Sequence, residues 1–327
     1  MSANTGEPAA EPLHLLLFYA FVSGLARDLL DGAIEHGPIE PYRRASTARA
    51  GEFSRAAPEC SELTIALALS SYLDDRVFLL GDQPTQEWST AVIRDPAVTA
   101  SLRDVGRTLA AMPAAGWLGA GLERSAQAIV DWANSGRPPD LAARESLVKL
   151  AEQTEGEWWS APAGAGLPCT TRKLRSFTAV ELICRDDGFG ETEAAVWDVA
   201  VTDAARVAEV RSLADWSRLV AAYPLDVTWS RGEQWSPSLG WPGPWLLPDW
   251  DRVAQDWDGV HVTADAYLRS RGQLSRVGDG ATALEGWDPD TTYWLSQAVS
   301  LAAGGPQTWV QDAQDDQDGQ SGWRRTA

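Results

Sequence analysis

Tryptophan is the largest side chain, and its single N–H needs an acceptor wherever the ring is buried. Fourteen of the 17 tryptophans in this chain lie at or beyond Trp158. Six fall between Trp229 and Thr263: Trp229, Trp235, Trp241, Trp245, Trp250 and Trp257. Pro237, Pro242, Pro244 and Pro248 interrupt them, as do Gly232, Gly240 and Gly243. This spacing predicts an irregular aromatic wall, too broken for one helix or one strand. A short helix, Trp250 to Asp256, follows with Asp249 as its cap. Asp258-Gly259 then turns the chain into a strand, Val260 to Thr263, that carries His261. Such a wall can be a stacking platform. With only Arg231 and Arg252 interleaved, it reads instead as a core scaffold or one side of a pocket.

The chain before Trp158 has a different pattern. Residues 1–12 are small, acidic and Pro-containing and read as disordered. From Leu13 to His36 an apolar face predicts a helix ended by Gly37-Pro38. The polar stretch 38–58, with Arg43, Arg44, Arg49 and Arg55, reads as a loop. A helix is expected from Ser61 to Leu80. Asp95-Pro96 is a start signal, and Val98, Leu102, Val105, Leu109 and Met112 repeat at helical steps as far as Pro113. Leu122, Ala126 and Ile129 predict another helix over about 119–134. Pro138-Pro139-Asp140 opens a last one through Gln153. Residues 13–153 therefore read as a helical domain.

After the punctuation APAGAGLP (161–168) come β-rich runs at Thr178–Arg185, Ala194–Thr202 and Arg206–Arg211. Ala195, Trp197, Val199 and Val201 alternate with their neighbours at a period of two. Ser212 caps a helix closed by Pro224. The expected fold class is α+β: a helical N-terminal region followed by a Trp-rich mixed domain at 156–303. The Gln- and Asp-rich tail, 304–327, reads as disordered and lacks the ligand spacing of a calcium loop.

The net charge is −19, and the isoelectric point is about 4.5. Phosphate neutralisation needs clustered Lys and Arg, so nucleic acid and anionic membrane are not expected partners. The charge permits a basic protein partner, a small molecule, or no partner at all. Leu13 to Ala26 is apolar but shorter than the ~20 residues a membrane span needs, and no basic residue precedes it. Three scattered cysteines give no disulfide framework or zinc motif, which places the chain in a reducing cytoplasm. Only Lys149 and Lys173 of the 27 basic residues are lysine. With abundant Ala and Gly, this suggests the codon usage of a high-GC bacterium.

Several polar residues are candidates for chemistry. His261, with Asp258 three residues before it, has the elements of a general base and its carboxylate; alternatively it is a hydrogen-bonded strand residue. Glu191 and Glu193 lie two apart at a strand entry, so an extended chain puts both carboxylates on one side, where they suit a ribose hydroxyl or a developing cation. Trp159, Ser160 and Arg172 combine an aromatic face, a hydroxyl and a cation, a set suited to a base, a ribose and a phosphate. The plainer alternatives are a solvated strand end for the glutamates and an aromatic anchor for Trp158-Trp159.

The Trp159-Ser160 step, the Glu191/Glu193 pair downstream and the short strands between them resemble an ADP-ribosyltransferase-like domain over residues 155–300. Where that family has Ser-Thr-Ser, this chain has Ser160-Ala161-Pro162. The resemblance implies NAD as a substrate, Glu193 as catalytic carboxylate, Glu191 as its helper, and Trp159 and Ser160 at the nicotinamide ribose; Arg172 would take a phosphate. The segments Asp249–Val260 and Gly286–Asp288 also resemble uncharacterised Trp-rich bacterial proteins, a likeness that implies no chemistry. The expected activity is an NAD-using transferase. Its rivals are a non-catalytic acidic partner-binding protein of antitoxin or immunity type, and a small-molecule enzyme using His261 and Asp258 in a Trp-walled pocket.

Overall fold

The computed structural model describes residues 11–33, 36–80, 83–133, 137–141, 158–162, 166–175, 177–185, 191–311 and 322–326. The fold class is α+β, with helices concentrated toward the N-terminus and strands toward the C-terminus. The chain forms two compact units. One holds residues 1–58 and 75–111; the other holds 59–74 and 112–327. The division therefore falls earlier than the expected boundary near 153.

The first unit is built on α1 (Leu13–Ser23). Leu15 through Ala20 are all buried, as expected of a helix that is apolar all round. Gly24, at φ 79°, ends it in the left-handed region, and α2 (Leu25–Ala33) begins at once. The single helix expected from Leu13 to His36 is thus two. α3 (Glu40–Ala56) occupies the segment expected as a loop. Its buried residues, Ser46, Ala50 and Phe53, keep helical spacing but are mostly small. α5 (Gln83–Arg94) and α6 (Pro96–Ala111) follow α4 (Glu62–Leu80). Asp95 caps α6 as its sequence predicts: Oδ1 accepts from Ala97 N at 3.1 Å. Glu11 lies in the segment expected to be disordered and pairs with Arg103 at 2.7 Å.

The second unit is organised by a nine-stranded sheet. Its strands are β1 (Gln127–Asp131), β2 (Cys169–Arg172), β3 (Glu193–Val201), β4 (Val207–Val210), β7 (Gly259–Val262), β10 (Thr291–Trp294), β11 (Val299–Leu301), β12 (Gln307–Gln311) and β13 (Trp323–Arg325). Their order is β13-β12-β3-β1-β2-β10-β7-β4, with β11 also on β3. All pairs are antiparallel except β4 with β7. Three expectations change here. Residues 127–131, expected in a helix, form a central strand. The run Thr178–Arg185, expected as strand, contains the short 3-10 turn Val180–Leu182. The tail contributes β12 and β13 where disorder was expected. The helix expected from Pro138 to Gln153 lies almost wholly outside the described residues, as does the Asp-rich stretch 312–321.

The Trp-rich stretch is more regular than its prolines suggest. Helix Thr228–Leu239 replaces the first half of the expected wall, ending at Gly240 with φ 71°. Its Pro237 sits in the last turn. Helix Trp250–Asp256 is capped by Asp249 as expected, and Ser212 likewise caps helix Leu213–Ala222. Two short pairs complete the unit: β5 (Pro224–Asp226) with β6 (Leu246–Pro248), and β8 (Leu274–Val277) with β9 (Gly280–Ala283). Trp216, Trp250 and Trp287 meet with centroids 6.2–6.4 Å apart, and Trp287 meets Tyr293 edge-on at 5.0 Å. Trp235 and Trp245 form a second edge-on pair at 5.2 Å. Most of these indoles also have an acceptor. Trp216 Nε1 donates to Thr282 Oγ1 at 3.0 Å, Trp235 Nε1 to Trp158 O at 2.7 Å, and Trp245 Nε1 to Ser236 Oγ at 3.0 Å.

Trp216 is fully buried, so its N–H depends on the Thr282 hydroxyl. Thr282→Val keeps the shape and removes the acceptor. It is expected to cost ~1–3 kcal/mol, the scale for a stranded buried donor. Urea unfolding of the two proteins measures it, and equal midpoints would contradict the role given to this bond.

Candidate functional site

A row of polar side chains crosses one face of the sheet at β4, β7, β10 and β2. Antiparallel and parallel register place Glu209 opposite His261, His261 opposite Thr292, and Thr292 opposite Thr170. Cross-strand partners share a face, so these four line up beneath one cover. Asp290 and Arg172, two residues along from Thr292 and Thr170, extend the row on the same face.

The charges in this row alternate. His261 Nδ1 lies 2.9 Å from Glu209 Oε2, and its Nε2 lies 3.4 Å from Asp290 Oδ1. Asp290 Oδ2 accepts from Arg172 Nε at 2.7 Å and from Arg172 N at 3.3 Å. Arg172 Nη2 donates to the carbonyls of Ala120 and Gly121, at 3.2 and 2.9 Å. Glu209 Oε1 accepts from Leu122 N at 2.9 Å. Segment 120–122 is therefore strapped over the row from both ends. Gly121 lies close beneath the side chains of this end: a Cβ would stand 2.6 Å from Arg211 Nη2 and 3.0 Å from Glu209 Oε1, so those side chains would have to shift. Asp290 adopts φ 57°, a conformation Asp tolerates better than most residues.

Burial is graded along the row. His261 and Asp290 are each 1% exposed, whereas 28% of the Glu209 side chain is open. Burial pushes the His261 imidazolium toward losing its proton, but the Asp290 and Glu209 carboxylates outweigh it and raise the pKa. Burial likewise pushes Glu209 up; the His261 hydrogen bond and charge and the Leu122 N–H bring it below its ordinary value. The two carboxylates thus favour the protonated imidazole, with Glu209 on one side of the ring and Asp290 on the other. The cation–anion alternation fits the rule that buried charges persist only when paired and hydrogen-bonded.

The residues expected to act together are distributed differently. Arg172 and His261 are brought together through Asp290, a residue the sequence did not single out. Asp258 serves elsewhere: it accepts from Arg206 N at 2.8 Å and from Ser296 Oγ at 2.7 Å. Ser160 is fully buried, and its Oγ donates to Glu285 O at 2.7 Å while accepting from Glu285 N at 3.0 Å. Trp159, 38% exposed, gives its carbonyl to Arg231 Nε at 3.2 Å. Glu191 pairs with Arg185 at 3.0 Å, whose guanidinium lies over the Trp132 ring at 4.7 Å. Glu193 is exposed at the start of β3, opposite Val310. In the first unit, a groove of about 420 Å3 includes Thr47, Gly51, Ser54, Ser101, Asp104 and Arg107 in its lining and none of these candidates. Among the described residues no group of His, Cys, Asp and Glu is arranged to hold a metal ion, and no helix is long and apolar enough to cross a membrane.

A second titratable cluster lies on the opposite face of the sheet. Glu181 N donates to Thr171 Oγ1 at 3.1 Å, and Glu181 Oε1 accepts from Trp132 Nε1 at 2.8 Å. Its Oε2 is buried with no hydrogen-bond partner among the described residues. Burial, reinforced by Asp288, pushes the carboxyl up to about 8 against the opposing Trp132 N–H and Arg185. Burial also raises the thiol of Cys169 and the phenol of Tyr293, which face each other across β2 and β10. The sequence clue to two of the missed acids is a carboxylate inside an apolar run, Glu209 in VAEV and Glu181 in AVEL; Asp290, in DPDTT, carries no such signal.

Glu181 supplies a signed pH dependence. The folded state keeps this proton up to about pH 8, whereas the unfolded carboxyl loses it near its ordinary value of 4.5. The folded protein binds the extra proton between those values, so stability falls as pH rises through that window, by at most about 1.4 kcal/mol per pH unit. Glu181→Gln mimics the protonated acid and keeps an acceptor for Trp132. It is expected to leave stability at pH 5 nearly unchanged and to raise it above pH 8 by a few kcal/mol, on the order set by that slope. Denaturant midpoints at pH 5 and 9 test this; the same pH dependence in both proteins would contradict it.

Comparison with protein-family models, curated proteins and solved structures gave no match to this chain.

Proposed function

We propose that this chain works by binding, as an acidic protein of antitoxin or immunity type that holds a basic protein partner, and that it carries no turnover of its own. One observation supports this reading above the others: the polar groups best suited to chemistry are engaged inside the fold. Ser160 has both its hydrogen bonds on Glu285, Arg172 is held by Asp290, and Asp258 is held by Arg206 and Ser296. His261 has a carboxylate at each ring nitrogen. Meanwhile the charge of −19 leaves acids at the surface, including Glu193, Asp203, Asp226, Glu233, Asp256 and Asp279. A surface of one sign steers and selects a partner of the other.

The transferase reading makes the opposite demand. Ser160 and Glu193 would have to meet one NAD molecule, with the Ser160 hydroxyl released from Glu285. The enzyme reading built on His261 and Asp258 would need the imidazole freed from Glu209 and Asp290.

Two measurements test the proposal together. The purified chain incubated with NAD is expected to release no nicotinamide above a blank; release that Glu193→Gln abolishes would establish the transferase instead. The tagged chain, recovered from its own cells, is expected to retain a basic protein at about 0.1 M salt and shed it toward 1 M, as the screening length shrinks from ~10 to ~3 Å. Retention of only acidic or salt-insensitive partners would overturn the binding reading.

A further inference from the structure

The geometry around His261 points to a conformational device. Two groups converge on the 120–122 strap, and each is tied to the imidazole. Glu209 accepts the Leu122 N–H with one oxygen and faces His261 Nδ1 with the other. Arg172 holds the carbonyls of Ala120 and Gly121, and its partner Asp290 faces His261 Nε2. Gly121 lies against the side-chain ends of Glu209 and Arg211.

An imidazolium carries an N–H on both nitrogens: Nδ1 hydrogen-bonds Glu209, and Nε2 turns its N–H toward Asp290 Oδ1 at 3.4 Å, a buried oxygen with no hydrogen bond among the described residues. A neutral imidazole has one N–H, and its other nitrogen presents a lone pair. One of the two carboxylates must then face that lone pair without a donor. Burial decides which one yields. Asp290 is 1% exposed and is fixed by two bonds from Arg172. Glu209 has 28% of its side chain open to solvent and can turn into water. When Glu209 turns away, the Leu122 N–H loses its acceptor.

We propose that His261 is a proton-operated latch: protonated, it holds Glu209 in place and the 120–122 strap closed at Leu122; deprotonated, it releases Glu209 and lets the Leu122 end of the strap open. The charged groups facing this unit are Glu209 on β4, Arg211 just after it, Asp290 ahead of β10, Arg172 on β2, and Glu123 on the segment that continues the strap. Arg211 Nε is 3.9 Å from Glu209 Oε2 and more than half exposed, so it follows the carboxylate outward rather than holding it in. Glu123 feels the charge of Arg172 but binds Ser125. Arg172 keeps both carbonyl bonds in either state, which makes Ala120–Gly121 the fixed end and Leu122 the moving one.

Amide exchange on the full chain tests the latch. The Leu122 protection factor, corrected for intrinsic exchange, is expected to fall at least about tenfold as His261 loses its proton, the scale of one charge-assisted hydrogen bond. Its midpoint should coincide with the His261 titration followed by ring 15N shifts. Protection that stays flat while His261 titrates would overturn the proposal. His261→Gln is expected to give pH-independent protection at Leu122; retention of the wild-type pH dependence would also overturn it. Should that variant fail to fold, Glu209→Gln keeps an acceptor for Leu122 and removes one of the two anions. Both midpoints should then move to lower pH together, and a Leu122 midpoint that stays put would rule the latch out.

Discussion

The row Glu209–His261–Asp290–Arg172 is the constraint on which the second unit depends. It ties four strands that come from distant parts of the chain, and it does so with charges that cannot be left unpaired in a protein interior. A slip of one residue in any of these strands would throw its charged member to the opposite face of the sheet. Apolar packing alone is more forgiving, since Val207, Val260 and Val262 have similar shapes. The tryptophan clusters contribute burial, and the charge row makes one register unique. The two roles are separate; Trp294, which packs with Val199, Ala205, Ala298 and Val299, reaches the row directly, its Nε1 donating to Thr170 Oγ1 at 2.9 Å.

Features written locally in the sequence were legible. Asp95-Pro96, Ser212 and Asp249 each mark a helix start, because a cap acts on amides two or three residues away. The alternation from Ala195 to Val201 marks β3 for the same reason. What failed was whatever depends on distant partners. Residues 127–131 carry a spacing compatible with a helix, but Ala128 pairs with Thr171 and with Asp198, far along the chain. The tail is polar in composition, yet β12 completes the edge of β3 and buries Trp309 beside Ala194 and Val196. α3 was missed for another reason. Its inward face is Ser46, Ala50 and Phe53, so close helix packing leaves little apolar signal to read.

The candidate site was half legible by the same logic. A histidine between two valines on a strand needs a partner, and His261 stood out for that reason. The nearest acid, Asp258, was the natural choice along the chain. The turn at Asp258-Gly259 instead aims it at Arg206 and Ser296, while the true partners arrive from β4 and from the segment ahead of β10. Ser160 illustrates the converse. Its setting next to Trp159 suggested a ligand contact, whereas its hydroxyl bridges the backbone of Glu285, 125 residues away. Close sequence spacing is a poor guide to polar partners in a sheet assembled from distant strands.

Surface charge and the buried row are linked by long-range electrostatics. A net charge of −19 sets a negative potential across the molecule, and a negative potential favours bound protons. It therefore acts in the same direction as Glu209 and Asp290 at His261, toward the imidazolium. Any positive charge brought to this surface weakens the field and eases loss of the His261 proton. Salt acts in the same sense on the surface charges but only weakly on the row, because pairs shielded from solvent are screened far less. The row is consequently set mainly by its own geometry and tuned by what the acidic surface meets. One proton between two carboxylates is therefore the point at which the surface field and the buried row meet.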